Sequence, residues 1–133
     1  MRTKLAVALV GIALVSIATP IVAHHSFSAE FDASKPFKMT GTVTKVEWMN
    51  PHTFFYIDVV DEKTKKVTNW AMEMGSPNGL MRAGWTRNTM KIGDEVTVEG
   101  SLAKDGSPTG NARSVMTKDG KRLFAASSQG TNP

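Results

Sequence analysis

Three observations predict a mainly β chain, built as a small five- to six-stranded OB-like barrel with one short helix. Apolar residues alternate with period two along several short segments. One capped helical stretch falls between the third and fourth of those segments. Glycines stand inside two strand candidates, where the closure of a small barrel needs sharp bends. Three strands, a helix and two further strands is the order of a five-stranded Greek-key barrel. The competing architecture is a β-sandwich of similar strand number.

The first strand is predicted over Met39 to Trp48, rich in Thr and Val, with Gly41 as its bend. The second runs from Thr53 to Val60. There Phe55, Ile57 and Val59 alternate with Phe54, Tyr56 and Asp58. A charged turn, Asp61 to Lys66, leads to the third, Val67 to Met74, with Trp70, Met72 and Met74 on one face. A helix follows over Pro77 to Ala83. Ser76 can cap it, Pro77 suits its first position and Gly84 can end it. Gly79 weakens so short a helix, so an irregular loop is the competing form. The fourth strand spans Glu95 to Leu102, with Gly100 inside it, and the fifth Asn111 to Thr117. Asp119-Gly120 signals a hairpin that returns Lys121 to Phe124 as a short sixth strand. The expected interior contains Phe55, Ile57, Val59, Trp70, Met72, Val96 and Val98.

The termini read differently. Arg2 and Lys4 precede an apolar run from Leu5 to Ile17, then Thr19-Pro20 and Ala23. That is the order of a secretory signal peptide over residues 1–23, too short for a membrane span of ~20 apolar residues. The expected location is periplasmic or secreted, with no stable membrane insertion after cleavage; an uncleaved anchor is the competing form. Residues 24–38 form a polar amino-terminal segment, 39–124 the barrel domain, and 125–133 a frayed tail rich in Ser, Gly and Asn. Cleavage after Ala23 leaves 110 of the 133 residues and lowers the formal charge from +4 to +2, because it removes two cations and no acid. So small a charge is no footprint for nucleic acid. Cysteine is absent, which excludes disulfides, thiolate metal sites and a cysteine nucleophile.

Three constellations can carry function. The first is imidazole: His24, His25 and His52 are the three histidines of the chain. After cleavage His24 is the first residue, and its amine and ring can chelate one ion while His52 supplies a distant ring. Such nitrogen-rich tetragonal sites suit Cu(II). Glu30 and Asp32 can add oxygen, and the seven methionines outside the leader offer thioethers, although those at 72, 74, 81 and 90 sit at core-like positions. The second is aromatic. Phe54 and Tyr56, opposite in phase to Phe55 and Ile57, can present a binding face on strands two and three, the surface such barrels use for oligomers. They can equally pack beneath a neighbouring segment. The third is polar: Glu73, Ser76, Asn78, Arg82 and Arg87 surround the helix start, where they can hold an anion or serve as a cap and a solvated face.

No nucleophile stands with a base, and no Gly-rich phosphate loop or zinc-protease signature is present. The sequence therefore predicts an exported, non-catalytic binding protein. A copper-binding accessory role through the mature terminus comes first. The alternative is a barrel that takes a saccharide, peptide or partner protein on its strand two–three face. An oxidative copper enzyme is the third class.

Several stretches together have a specific likeness. They are His24-His25-Ser26-Phe27 with Glu30-Phe31-Asp32; Gly41-Thr42-Val43 with Val46-Glu47-Trp48 and Asn50-Pro51-His52; Asn69-Trp70 with Gly75-Ser76-Pro77-Asn78; Gly84-Trp85 with Arg87; Gly93-Asp94-Glu95-Val96; and Asn111-Ala112-Arg113. Through them the chain resembles an uncharacterised family of small exported bacterial proteins, grouped as a domain of unknown function. Gly79 and Met81 depart from that pattern, which has alanine and leucine there. The resemblance implies export and a compact β-domain, and it brings no activity or cofactor.

Overall fold

The computed structural model describes residues 27–127. A one-turn helix α1 (Phe27–Glu30) leads into β1 (Phe31–Glu47). Then follow β2 (Phe54–Val60), β3 (Val67–Glu73), α2 (Pro77–Arg82), β4 (Glu95–Ala103), β5 (Thr109–Thr117) and β6 (Arg122–Phe124). The strands pair in the order β3-β2-β1-β4-β5-β6, and a parallel pairing of β3 with β5 closes β1 to β5 into a ring. This is the predicted five-stranded barrel, with β6 returning along β5 as a hairpin.

β1 starts eight residues earlier than the alternation indicated. Phe31 is buried and pairs with Ala103, and Asp32 pairs with Leu102. The register then shifts before Pro36, and residues 33–36 are exposed. Asp32 Oδ1 accepts from the Ser34 backbone N–H at 2.9 Å, a local turn that accommodates the extra residues. Beyond the shift β1 follows β4 as far as Thr42, which also pairs with Asp58 of β2. Gly41 stands at this handover. A β-carbon there would lie 2.6 Å from the Asp58 carbonyl oxygen, so the two strands approach too closely for a side chain. Gly100 occupies the equivalent bend in β4, at a register shift against β5.

The alternating faces sort as hydrophobic burial demands. Phe55, Ile57, Met72, Val96 and Val98 are fully or nearly fully buried, joined by Val43, Met74 and Val115. Val59 and Trp70, also expected inside, are only partly buried against this core. α2 closes one end. Ser76 Oγ accepts from the Gly79 N–H at 3.1 Å and caps the helix, while Leu80 plugs the core. The helix stops one residue short of the expected Ala83, which acts as its C-cap before Gly84 at φ +94°. The buried Trp85 donates from Nε1 to the Phe124 carbonyl at 2.9 Å and ties this end to β6.

The expected frayed tail is packed where it begins. Ala125 is fully buried; its N–H donates to the Arg113 carbonyl and its carbonyl accepts from the Gly75 N–H. Residues 128–133 of the predicted tail lie outside the described residues.

Candidate functional site: a polar pair beside a cleft

The sheet register brings a histidine, a carboxylate and an amide together. β2 and β3 pair with Phe54 opposite Glu73, and the parallel seam sets Glu73 beside Asn111. His52 lies two residues before β2. Its Nδ1 is 3.3 Å from the Met74 carbonyl oxygen and 3.7 Å from Glu73 Oε1. A carbonyl only accepts, so Nδ1 carries the proton in this contact. No hydrogen bond reaches Nε2 among the described residues, and in the neutral ring this nitrogen carries the lone pair. Glu73 is buried, and Asn111 Nδ2 donates to its Oε1 at 3.5 Å. Asn111 is itself fully buried, and its Oδ1 has no partner among the described residues.

Glu73 also lines a cleft of about 390 Å³. Phe31 and Phe54 supply aromatic walls, while Glu30, Lys104 and Asp105 bring charge to it. α1 is held against this cleft. The Lys104 N–H donates to the Glu30 carbonyl at 2.9 Å, and Lys104 Nζ donates to the Ser28 carbonyl. The Phe27 and Phe31 rings stack with their centroids 5.7 Å apart. A larger depression of about 650 Å³ lies elsewhere, between Thr42, Glu95, Thr117 and Lys121. Two of its three acids are engaged locally: Asp94 accepts from the Lys91 N–H, and Asp119 accepts from the Thr117 hydroxyl. Of these two, the smaller is the one lined by Glu73, and chemistry rather than size selects it.

The other site residues read from sequence separate. Phe54 is half-buried in the cleft wall. Tyr56 faces the same side but lies outside the cleft, clasped by the neighbouring strand. Its hydroxyl donates to Glu47 Oε2 at 3.0 Å, and Lys45 Nζ sits 5.2 Å from its ring centroid. Desolvation, and then the Glu47 carboxylate, raise the phenol above its ordinary range. The Lys45 ammonium, and then the Tyr56 hydroxyl, hold Glu47 below the usual carboxylate range. Asn78 and Arg82 are exposed on α2 and do not line the cleft. Among the described residues no hydrogen bond or ion pair joins either of them to His52. His24 and His25 lie outside the described residues. Sequence reasoning missed the parts played by Phe31 and Asn111. The available signals were an isolated Phe in a polar segment and an amide in a strand.

A family of unknown function, DUF6152, matches residues 11–113. The chain belongs to that family. No curated protein and no solved structure matches it. The DUF6152 match contains Phe31, His52, Phe54, Glu73 and Asn111, so the whole polar cluster and both aromatic walls fall within it. It ends at Arg113 inside β5, and β6 lies beyond it.

Proposed function

We propose that this DUF6152 protein is an exported, non-catalytic copper-binding accessory protein. In this reading the leader is removed after Ala23, and His24 ligates through its amine and ring. His52 supplies the distant imidazole. The observation that carries the reading is the posture of His52. Its Nδ1 meets the Met74 carbonyl close to the buried Glu73 side chain, so that in the neutral ring Nε2 is the nitrogen with a lone pair to offer. Ligating histidines commonly donate their second ring N–H to a carbonyl or carboxylate in this way. The position of the chain also supports it. α1 lines the same cleft as Glu73, and His24 is three residues before Phe27, within roughly 10 Å of extended chain. Three nitrogens in a tetragonal set favour Cu(II).

Cu(II) titration of mature protein tests the proposal against a version with one Ala added before His24. One ion per chain should bind, and the extension should weaken binding sharply by converting the amine to an amide. His52→Ala should weaken it and Met72→Ala should not; His25→Ala matters only if both terminal rings ligate. Ligation needs deprotonated nitrogens, so affinity should fall as pH drops through the imidazole and amine ranges. Equal affinities for mature and extended protein would overturn the reading.

The cleft itself favours a second reading. Two phenylalanines and several charged groups around about 390 Å³ fit a saccharide or peptide segment, with Phe54 of β2 and Glu73 of β3 as the share that the strand two–three face gives to the lining. Phe54→Ala would abolish that binding and leave Cu(II) affinity unchanged.

A further inference from the structure

We infer that β6 with Ala125 is a latch, which opens as one unit and uncovers an edge of β5 while the five-stranded ring stays closed.

The ring leaves a fork. β3 and β5 pair through Ala71–Glu73 and Thr109–Asn111, after which β3 ends and β5 runs on to Thr117. The segment after β5 turns back into that gap. Ala125 donates its N–H to the Arg113 carbonyl at 2.9 Å on one side, and its carbonyl accepts from the Gly75 N–H at 2.8 Å on the other. The Phe124 carbonyl accepts from Trp85 Nε1 at 2.9 Å. Three donors, on Ala125, Gly75 and Trp85, therefore depend on this one segment.

Its attachment is light. β6 meets β5 through three residue pairs. Leu123 and Ala125 are buried, but Phe124 is 65% exposed. The ion pair of Arg122 with Glu99, at 2.8 Å, lies at the surface, where such pairs contribute little. Ala126 takes φ +48°, a conformation that costs any residue but glycine and that release would relieve. Closure of β1 to β5 does not pass through β6, so the ring keeps its pairings when the latch leaves. A unit with so little buried apolar surface opens at lower free energy than the whole molecule. Opening bares the edge of β5 from Ser114 to Met116, with Val115 at its centre. An unpaired edge accepts other strands, so the latch is also the cover that keeps this one closed.

Hydrogen exchange of the mature protein in rising, sub-denaturing urea, followed by NMR, tests the latch. The Ala125 and Gly75 amides and the Trp85 indole should open with equilibrium constants within tenfold of one another. Each should exceed that of the Val98 amide on β4 at least tenfold. Their urea dependence should be less than half that of Val98, because urea sensitivity scales with the surface exposed. A smaller gap from Val98, a steeper urea dependence or a wider scatter among the three would make β6 part of the global unit, or several independent openings, and overturn the inference. Leu123→Ala should accelerate all three at least fivefold and in equal proportion; a smaller or unequal acceleration also overturns it. If that variant fails to fold, exchange in the wild type still decides.

Discussion

Ile57 and Val98 have no solvent exposure and sit on β2 and β4, the two strands that flank β1. Truncating Ile57 to Ala should cost about 2–4 kcal/mol through lost burial and the cavity left behind. Val67, more than half exposed, should tolerate Ala within about 0.5 kcal/mol. Denaturant melts of the two variants check the pair; equal costs would contradict the inward phase of β2. That phase was legible because period-two alternation reports directly on which side a residue faces. The depth of burial was not. Val59 and Trp70 share the inward phase yet are only half-buried, since alternation carries no information on how far neighbouring strands cover a given position. Asn111 was less legible still. An amide at a strand start reads as surface, and only the pairing of Glu73 with Asn111 makes it an interior group.

Among the elements, the bends were readable and the first boundary was not. Gly41 and Gly100 stand out because strand interiors rarely keep glycine without a steric reason. At Gly100 that reason is severe: a β-carbon would lie 1.9 Å from the Asn111 carbonyl oxygen. Gly100→Ala should therefore destabilise by about 1–3 kcal/mol, the usual cost of overpacking. Gly120 differs, having open space but φ +84°, so Ala there should cost only about 1 kcal/mol of backbone strain. Thermal melts of both variants test the order, and a larger loss at Gly120 would refute it. The early start of β1 was hidden by Pro36 and the Asp32–Ser34 turn, both of which read locally as loop. Its true anchor is Phe31, whose partner Ala103 lies seventy-two residues along the chain. Local pattern carries no information about such a partner.

For the molecule as a whole, ring order was predictable because few topologies satisfy three strands, a helix and two strands with short connections. The site was only half visible. His52, Phe54 and Glu73 were each singled out, but their meeting depends on the β2–β3 register. Asn78 and Arg82 were grouped with Glu73 by sequence proximity, and the fold places them outside the cleft. The copper reading also depends on the address of the chain. The basic start, the Leu5 to Ile17 run and Ala23 predict a secreted form beginning at His24. Intact-mass analysis of protein recovered from the periplasm should show loss of residues 1–23. A mass that retains them would deny His24 its amine.

The ring is closed at a short joint. β3 and β5 meet only at Ala71, Met72 and Glu73, against the long run that β1 shares with β4. Parallel pairing is also slightly weaker per residue than antiparallel pairing. The barrel is therefore a curled strip fastened at its weakest seam, and Glu73 and Asn111 are the last rung of that seam. An ion drawn to the His52–Glu73 pair would act as a clasp on the fastening. If the ion bound only the closed ring, its binding energy would be shared with closure by mass action. Breathing of the seam and occupancy of the site would then be one equilibrium seen from two sides.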